Sequence, residues 1–158
     1  MQGSRQSVQK PQKQAPSESF PPVASADARV LVLGSLPGQR SLQEQQYYAH
    51  PQNAFWRIMR DLVGAEGTYE QRCRTLQESG IALWDVLAES VRPGSLDSDI
   101  RMDTARANDF AGLFRDCPDI ALVCFNGRKA AAMFQRFAGA DSYAMRFETL
   151  PSTSPAYA

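Results

Sequence analysis

The residues most able to do chemistry gather in two neighbouring stretches. One is the turn Gly34-Ser35-Leu36-Pro37-Gly38; the other is Tyr47-Tyr48-Ala49-His50-Pro51-Gln52-Asn53-Ala54-Phe55-Trp56. The second puts two tyrosines, the only histidine, an asparagine, Phe55 and Trp56 into one short segment, more chemistry than a connection needs. The glycines and proline of the first make a tight turn with exposed backbone. The N–H groups of Leu36 and Gly38 could there face a carbonyl oxygen. Each side chain also has a plainer reading. Asn53 stands just before an apolar-periodic run and could cap its helix. Ser35 could be a turn residue, the tyrosine pair core packing, and His50 a structural histidine held extended before Pro51. No Ser or Cys nucleophile is patterned with His50, so no hydrolytic triad is read.

Other chemistries are excluded by what is missing. Cys73, Cys117 and Cys124 share no C-x-x-C spacing and only one histidine is present, so no zinc or iron–sulfur ligand set exists. Neither a metal nor a cofactor is expected. Gly34-Ser-Leu-Pro-Gly38 is not the G-x-G-x-x-G fingerprint of a dinucleotide binder. Seventeen acids balance seventeen bases, so no global field draws the chain to nucleic acid or membrane, although a local basic rim is compatible with that balance. An odd cysteine count without a framework points to a reducing, cytoplasmic setting. No apolar run approaches the roughly 18 residues of a membrane span, and the N-terminus has no signal-peptide core.

The elements that must position these residues follow from pattern. At 158 residues with 43% hydrophobic, one domain is expected. Residues 1–19 are Gln, Ser, Pro and Lys with few apolar side chains and read as a disordered basic tail, with residues 20–158 as a single α/β domain. Residues 29–33, 81–84 and 120–125 are short apolar runs of buried-strand type, and 143–150 alternates as a fourth strand. Helical spacing appears over 54–63 through Phe55, Ile58, Met59 and Leu62, over 68–79, after an Asn108 cap, and from Gly127 through Ala130, Met133, Phe134 and Phe137. Residues 91–102 read as a long polar loop. Strands alternating with helices imply βαβ units. The fold class expected is a three-layer α/β/α sandwich around a central four-stranded, mainly parallel sheet. The strand ends then gather the 34–38 turn, Trp84-Asp85, Asn126-Gly127 and residues 151–155 on the edge where such sheets bind ligands.

The G-S-x-P-G turn and the Y-Y-A-H-P-x-N-x-F-W block occur together, with Cys124-Phe125-Asn126-Gly127 and Leu150-Pro151-Ser152-Thr153-Ser154-Pro155 following. In these motifs the chain resembles the hypoxanthine-DNA glycosylase branch of the uracil-DNA glycosylase superfamily, from about Phe20 to its last residue. Relatives continue beyond the last motif into a further helix, whereas this chain ends at Ala158; either the terminus is shortened or this homologue lacks that element.

The resemblance implies a monofunctional glycosylase that flips a deaminated base, hypoxanthine first and uracil or xanthine as alternatives, out of double- or single-stranded DNA and hydrolyses its glycosidic bond with water. No lysine stands near the motif to form a Schiff base. In that branch the H-P-x-N asparagine holds the water, here Asn53, with Ser35 and His50 as lesser participants. Tyr48 would stack on the base. Gly34, Leu36, Gly38, Phe55, Trp84, Asp85 and Asn126 would complete the base site. Pro151, Ser152, Thr153, Ser154 and Pro155 would press the DNA backbone, with Arg128 and Arg40 as candidate phosphate partners. A monomer is expected. The rivals are a non-catalytic module that binds damaged DNA and a hydrolase of free nucleosides.

Overall fold

The computed structural model describes residues 17–91 and 100–155; the bulk of the expected tail, and most of the polar loop after Val91, lie outside them. Four strands form the central sheet: β2 (Val30–Gly34), β3 (Ile81–Asp85), β6 (Leu122–Asn126) and β7 (Arg146–Leu150), in the order β3-β2-β6-β7 and parallel throughout. Their apolar content has the expected cause: Leu31, Leu33, Ala82, Leu83 and Val123 are fully buried between helical layers. One layer is α4 (Phe110–Asp116) and α5 (Arg128–Phe137), which bury Phe110, Leu113, Met133 and Phe134 against the sheet. The other is α2 (Phe55–Val63) and α3 (Tyr69–Glu78), which bury Phe55, Met59 and Leu76 over β2 and β3. This is the three-layer sandwich expected.

Several elements were not visible in the pattern. A second sheet joins β1 (Ser17–Glu18), β4 (Leu87–Ser90) and β5 (Arg106–Ala107), in the order β1-β4-β5. Its first strand pairs Ser17 with Ser90 and Glu18 with Glu89, so paired structure starts inside the segment expected as tail. Helix α1 (Gln39–Glu44) follows the 34–38 turn directly. Ahead of the sheet, Val23 exchanges backbone hydrogen bonds of 3.0 and 2.8 Å with Leu83, covering the outer edge of β3.

Two local expectations are corrected. Asn108 does not cap α4: Asp109 does, its carboxylate accepting the Gly112 N–H at 3.0 Å. The apolar face expected along α2 is only half inward. Phe55 and Met59 are buried, but Ile58 is 41% and Leu62 70% exposed. The helix packs on the β2–β3 side of the sheet and leaves Ile58 and Leu62 exposed, Ile58 lining a cavity together with exposed Leu150 at the end of β7.

Candidate active site

Because the sheet is parallel, β2, β3, β6 and β7 all end on one edge, and the predicted residues from four distant segments assemble there. Gly34 ends β2 in register with Asp85 at the end of β3. A Cβ on Gly34 would lie 2.6 Å from Asp85 Oδ1 and 3.1 Å from Tyr48 Oη, so carboxylate and phenol both press on the bare Cα. Asp85 is buried at 3% exposure. Its strand end is fixed by backbone bonds from Val86 N–H to the Gly34 carbonyl and from Leu87 N–H to the Ser35 carbonyl.

The 47–56 segment reaches this point through a strained turn. Tyr48 adopts φ 54°, a left-handed conformation unfavourable for a residue with a Cβ. Neighbouring contacts determine it. Tyr47 is buried; its hydroxyl donates to the Pro21 carbonyl at 3.0 Å and its N–H donates to the Tyr69 hydroxyl at 3.1 Å. The Trp56 indole N–H donates to the Tyr47 carbonyl at 2.8 Å, and Ala49 N–H donates to the Ser41 hydroxyl at 3.1 Å. Arg72 stacks over Trp56, its guanidinium carbon 4.5 Å from the ring centroid. The Tyr47 hydroxyl stays neutral far above the ordinary phenol range, first because it is buried and second because the Asp85 carboxylate opposes a second negative charge. The two tyrosines therefore divide their labour: Tyr47 anchors the segment, and half-buried Tyr48 lies over Phe55, ring centroids 4.2 Å apart, with its hydroxyl at Gly34.

Asn53 sits at the start of α2. Its Oδ1 accepts the Phe55 N–H at 3.0 Å, and its own N–H donates to the His50 carbonyl at 2.9 Å. One lone pair of the amide oxygen is used by the helix end, and the second points elsewhere. Exposed His50 accepts the Gln52 N–H on Nδ1 at 3.1 Å, so its hydrogen bonds shape its own turn.

The 151–155 loop meets both sides. Asn126, ending β6, donates from Nδ2 to the Thr153 hydroxyl and accepts the Thr153 N–H on Oδ1, both at 2.9 Å. The Thr153 carbonyl accepts the Ala54 N–H at 3.0 Å. Gly127, at φ 98°, passes so close to Ser152 that a Cβ would stand 3.1 Å from the serine Cβ.

Other predicted residues occupy different surroundings. Phe55 and Trp84 are 2% and 9% exposed. Phe55 backs Tyr48, and the Trp84 indole donates to the Phe20 carbonyl at 3.0 Å while its ring meets Phe110 edge-on, so both serve as walls behind the site. The side chain of Leu36 belongs to the main hydrophobic core, and Ser35 is buried. Gly38 begins α1 in an extended conformation. Arg40 is ion-paired to Glu44 at 2.7 Å within that helix, whereas Arg128 opens α5 and is exposed. A cavity of about 760 Å³ flanks the site between α2 and the 151–155 loop, with Ile58, Met59, Leu150, Pro151 and Asn126 among its walls. Its lining is mostly apolar, and the convergence of polar groups lies beside it at Gly34. Among the described residues no cluster of three His, Cys, Asp or Glu could hold a metal. No described helix is long and apolar enough to cross a membrane.

Asn108, expected from the sequence as a helix cap, instead braces the site. Its amide donates to the Asp85 carbonyl at 2.8 Å and to the Ser19 hydroxyl at 3.1 Å, pinning the end of β3 to the lead-in segment. An asparagine before a helix carries the same local signal whether it caps or braces, so only the tertiary contact tells the two apart.

Comparison with known proteins agrees with this geometry. Residues 21–158 match the family model of the Uracil DNA glycosylase superfamily. A hypoxanthine DNA glycosylase of Methanosarcina acetivorans is 41% identical over 142 residues, covering 87% of this chain and 85% of that protein. One of Methanosarcina barkeri is 38% identical over 116 residues, covering 72% of each. The solution NMR structure of a candidate uracil DNA glycosylase from Methanosarcina acetivorans superimposes with a TM-score of 0.76 at 38% identity, covering 90% of this chain and 87% of that one. The family-model match over residues 21–158, together with identity and structural likeness over most of the length, leads to one assignment: the chain belongs to the uracil DNA glycosylase superfamily.

Proposed function

We propose that this protein is a monofunctional DNA glycosylase that removes deaminated bases, hypoxanthine foremost, by water attack on the sugar. The observation that carries the reading is the meeting of Tyr48, Asp85 and Gly34 at the strand ends, with Asn53 held at the adjacent helix start. A flipped purine needs a ring to stack on, which Tyr48 offers, and an acceptor for its N–H edge, which Asp85 offers. The backbone N–H groups of the 34–38 turn suit the base carbonyl. As the bond from C1′ to the base nitrogen breaks, the electron pair leaves with the base and positive charge grows on the sugar. Asn53 Oδ1 accepts a hydrogen bond from the attacking water and keeps it in line. An amide is too weak a base to take the proton early, which suits a reaction in which departure leads attack. Water oxygen ends on C1′ and its proton passes to solvent, balancing the base that leaves and gains a proton. The same reading makes the protein an intracellular monomer acting on DNA, with Ser35 and His50 in supporting places.

A panel of duplexes, each with one modified base, scored for alkali-labile sites in the presence of chelator, tests it. Release from inosine-containing DNA is expected. No release from any duplex would leave a binding module as the better reading. Release from free deoxyinosine alone would favour a nucleoside hydrolase.

Two further results should accompany activity. Tyr48→Ala should weaken binding to lesion DNA about tenfold, since base–aromatic stacking is worth roughly 1–3 kcal/mol. An unchanged Kd would remove Tyr48 from the base. Binding should also weaken as salt rises although net charge is zero, because each phosphate contact releases counterions. Arg128→Ala should then flatten the log–log slope by about one. Arg40→Ala should do less, its charge being already paired with Glu44. Equal slopes in wild type and Arg128→Ala would place Arg128 off the phosphates.

A further inference from the structure

Asn126 and Thr153 form a closed pair between two segments 27 positions apart. The backbone N–H of Thr153 can only donate, so it fixes Oδ1 of Asn126 on that side and turns Nδ2 toward the threonine hydroxyl. Both contacts are 2.9 Å, and they tie the end of β6 to the middle of the 151–155 loop. The same threonine continues the chain of contacts. Its carbonyl accepts the Ala54 N–H at 3.0 Å, one residue after Asn53, whose side chain is itself held by Phe55 N–H. One residue thus links a strand end, the loop expected to meet DNA, and the helix start that carries the water-holding amide.

We propose that Asn126 is a positioning residue rather than a reader of the base: its pairing with Thr153 sets the loop, and through the Thr153 carbonyl the loop sets Asn53. The inference rests on the glycosylase reading of the site. Asn126 is oriented by one donor and one acceptor bond to Thr153, which fixes its amide plane along the loop, and the base edge is assigned to Asp85. Loop and water site are then coupled, so loosening the loop displaces Asn53 without removing any group that touches the base. A misplacement of about 1 Å can cost a reaction up to roughly 100-fold.

The test uses the full chain with Thr153→Val, Thr153→Ser, Asn126→Ala and Asn126→Asp. Four readouts are taken: single-turnover rate at saturating enzyme, Kd for inosine duplex, the rate ratio of hypoxanthine to uracil, and hydrogen exchange at the Ala54 amide. Thr153→Val should lower the rate roughly 10–30-fold and speed exchange at Ala54, with Thr153→Ser restoring most of both. Asn126→Ala loses the bond to the Thr153 N–H as well and should fall at least as far as Thr153→Val, the double variant should be no worse than Asn126→Ala alone, and the base ratio should hold throughout. Asn126→Asp keeps the acceptor for Thr153 N–H and can accept from its hydroxyl, so it should recover more rate than Asn126→Ala. A wild-type rate in Thr153→Val would overturn the proposal. So would a base ratio that changes in the Asn126 variants and not in Thr153→Val, because that assigns Asn126 to the base. Should the wild type release no base at all, the glycosylase reading fails separately; unaltered Ala54 exchange in Thr153→Val would even then sink the coupling.

Discussion

Asn53→Ala is expected to lower the single-turnover rate of base release by roughly 10²–10⁴-fold, the range for a positioned polar or proton-handling group. Affinity for lesion DNA should change little, because Tyr48 and the phosphate contacts remain. Ala54 holds the N-cap position of α2 without a side-chain bond, and Asn53, one residue earlier, supplies the bond to the helix end; this role and catalysis do not compete. The bond from Phe55 N–H to Oδ1, 3.0 Å long, fixes the amide at the head of α2, and the remaining lone pair of the same oxygen is what a water can use. Removing the side chain should therefore cost about 1 kcal/mol of stability through the lost cap, together with the much larger loss in rate. The two effects separate with substitutions that cap. Asn53→Asp caps well and keeps an acceptor at the same reach, so stability should return with part of the turnover. Asn53→Ser also caps, but its hydroxyl is too short to take the cap bond and hold the water as well. Thermal melts measured beside rates decide the matter. A stable Asn53→Ser protein with full activity would end the assignment and move attention to Ser35 and His50.

The parts of this molecule that were legible in the sequence share a physical property. Strands β2, β3 and β6 are buried on both faces, so they appear as unbroken apolar runs, and α5 buries one regular stripe. Their burial is written locally. What was hidden depends on partners far along the chain. Strand β4 is paired to β1 and β5, and its Leu-Ala-Glu-Ser sequence carries no strand signature of its own. Helix α1 is six largely polar residues with only Ser41 buried, too short for periodicity to register. Leu62 marks the opposite error: helical spacing shows which residues share a face but not whether anything lies against it. The site was legible as a set of segments because its residues are clustered by type at strand ends. How they support one another was not. Asn126 and Thr153 are 27 positions apart and Asn108 and Asp85 are 23, and such pairs acquire meaning only when the sheet register brings them together.

Gly34→Ala tests that register most directly. Gly34 is not in the left-handed region, so an alanine meets no backbone strain there, and its whole effect is one methyl group. That methyl would stand 2.6 Å from Asp85 Oδ1 and 3.1 Å from Tyr48 Oη. Neither neighbour can yield freely. Asp85 is 3% exposed at the end of a paired strand, and Tyr48 is locked between the left-handed turn of its own backbone and the ring of Phe55. Overfilling a well-packed position of this kind costs about 1–3 kcal/mol. The displacement falls on the two groups assigned to hold the base, so the single-turnover rate should fall by about 100-fold or more even where the protein remains folded. Gly64→Ala is the matched control. It lies at φ 75° with nothing within 4 Å of its Cβ, so it should lose about 1 kcal/mol or more to backbone strain and keep its rate. Melting temperature and rate measured on both variants distinguish a general loss of stability from a specific loss at the site. Equal rates in the two would mean that the base binds away from Gly34, along the apolar cavity beside α2.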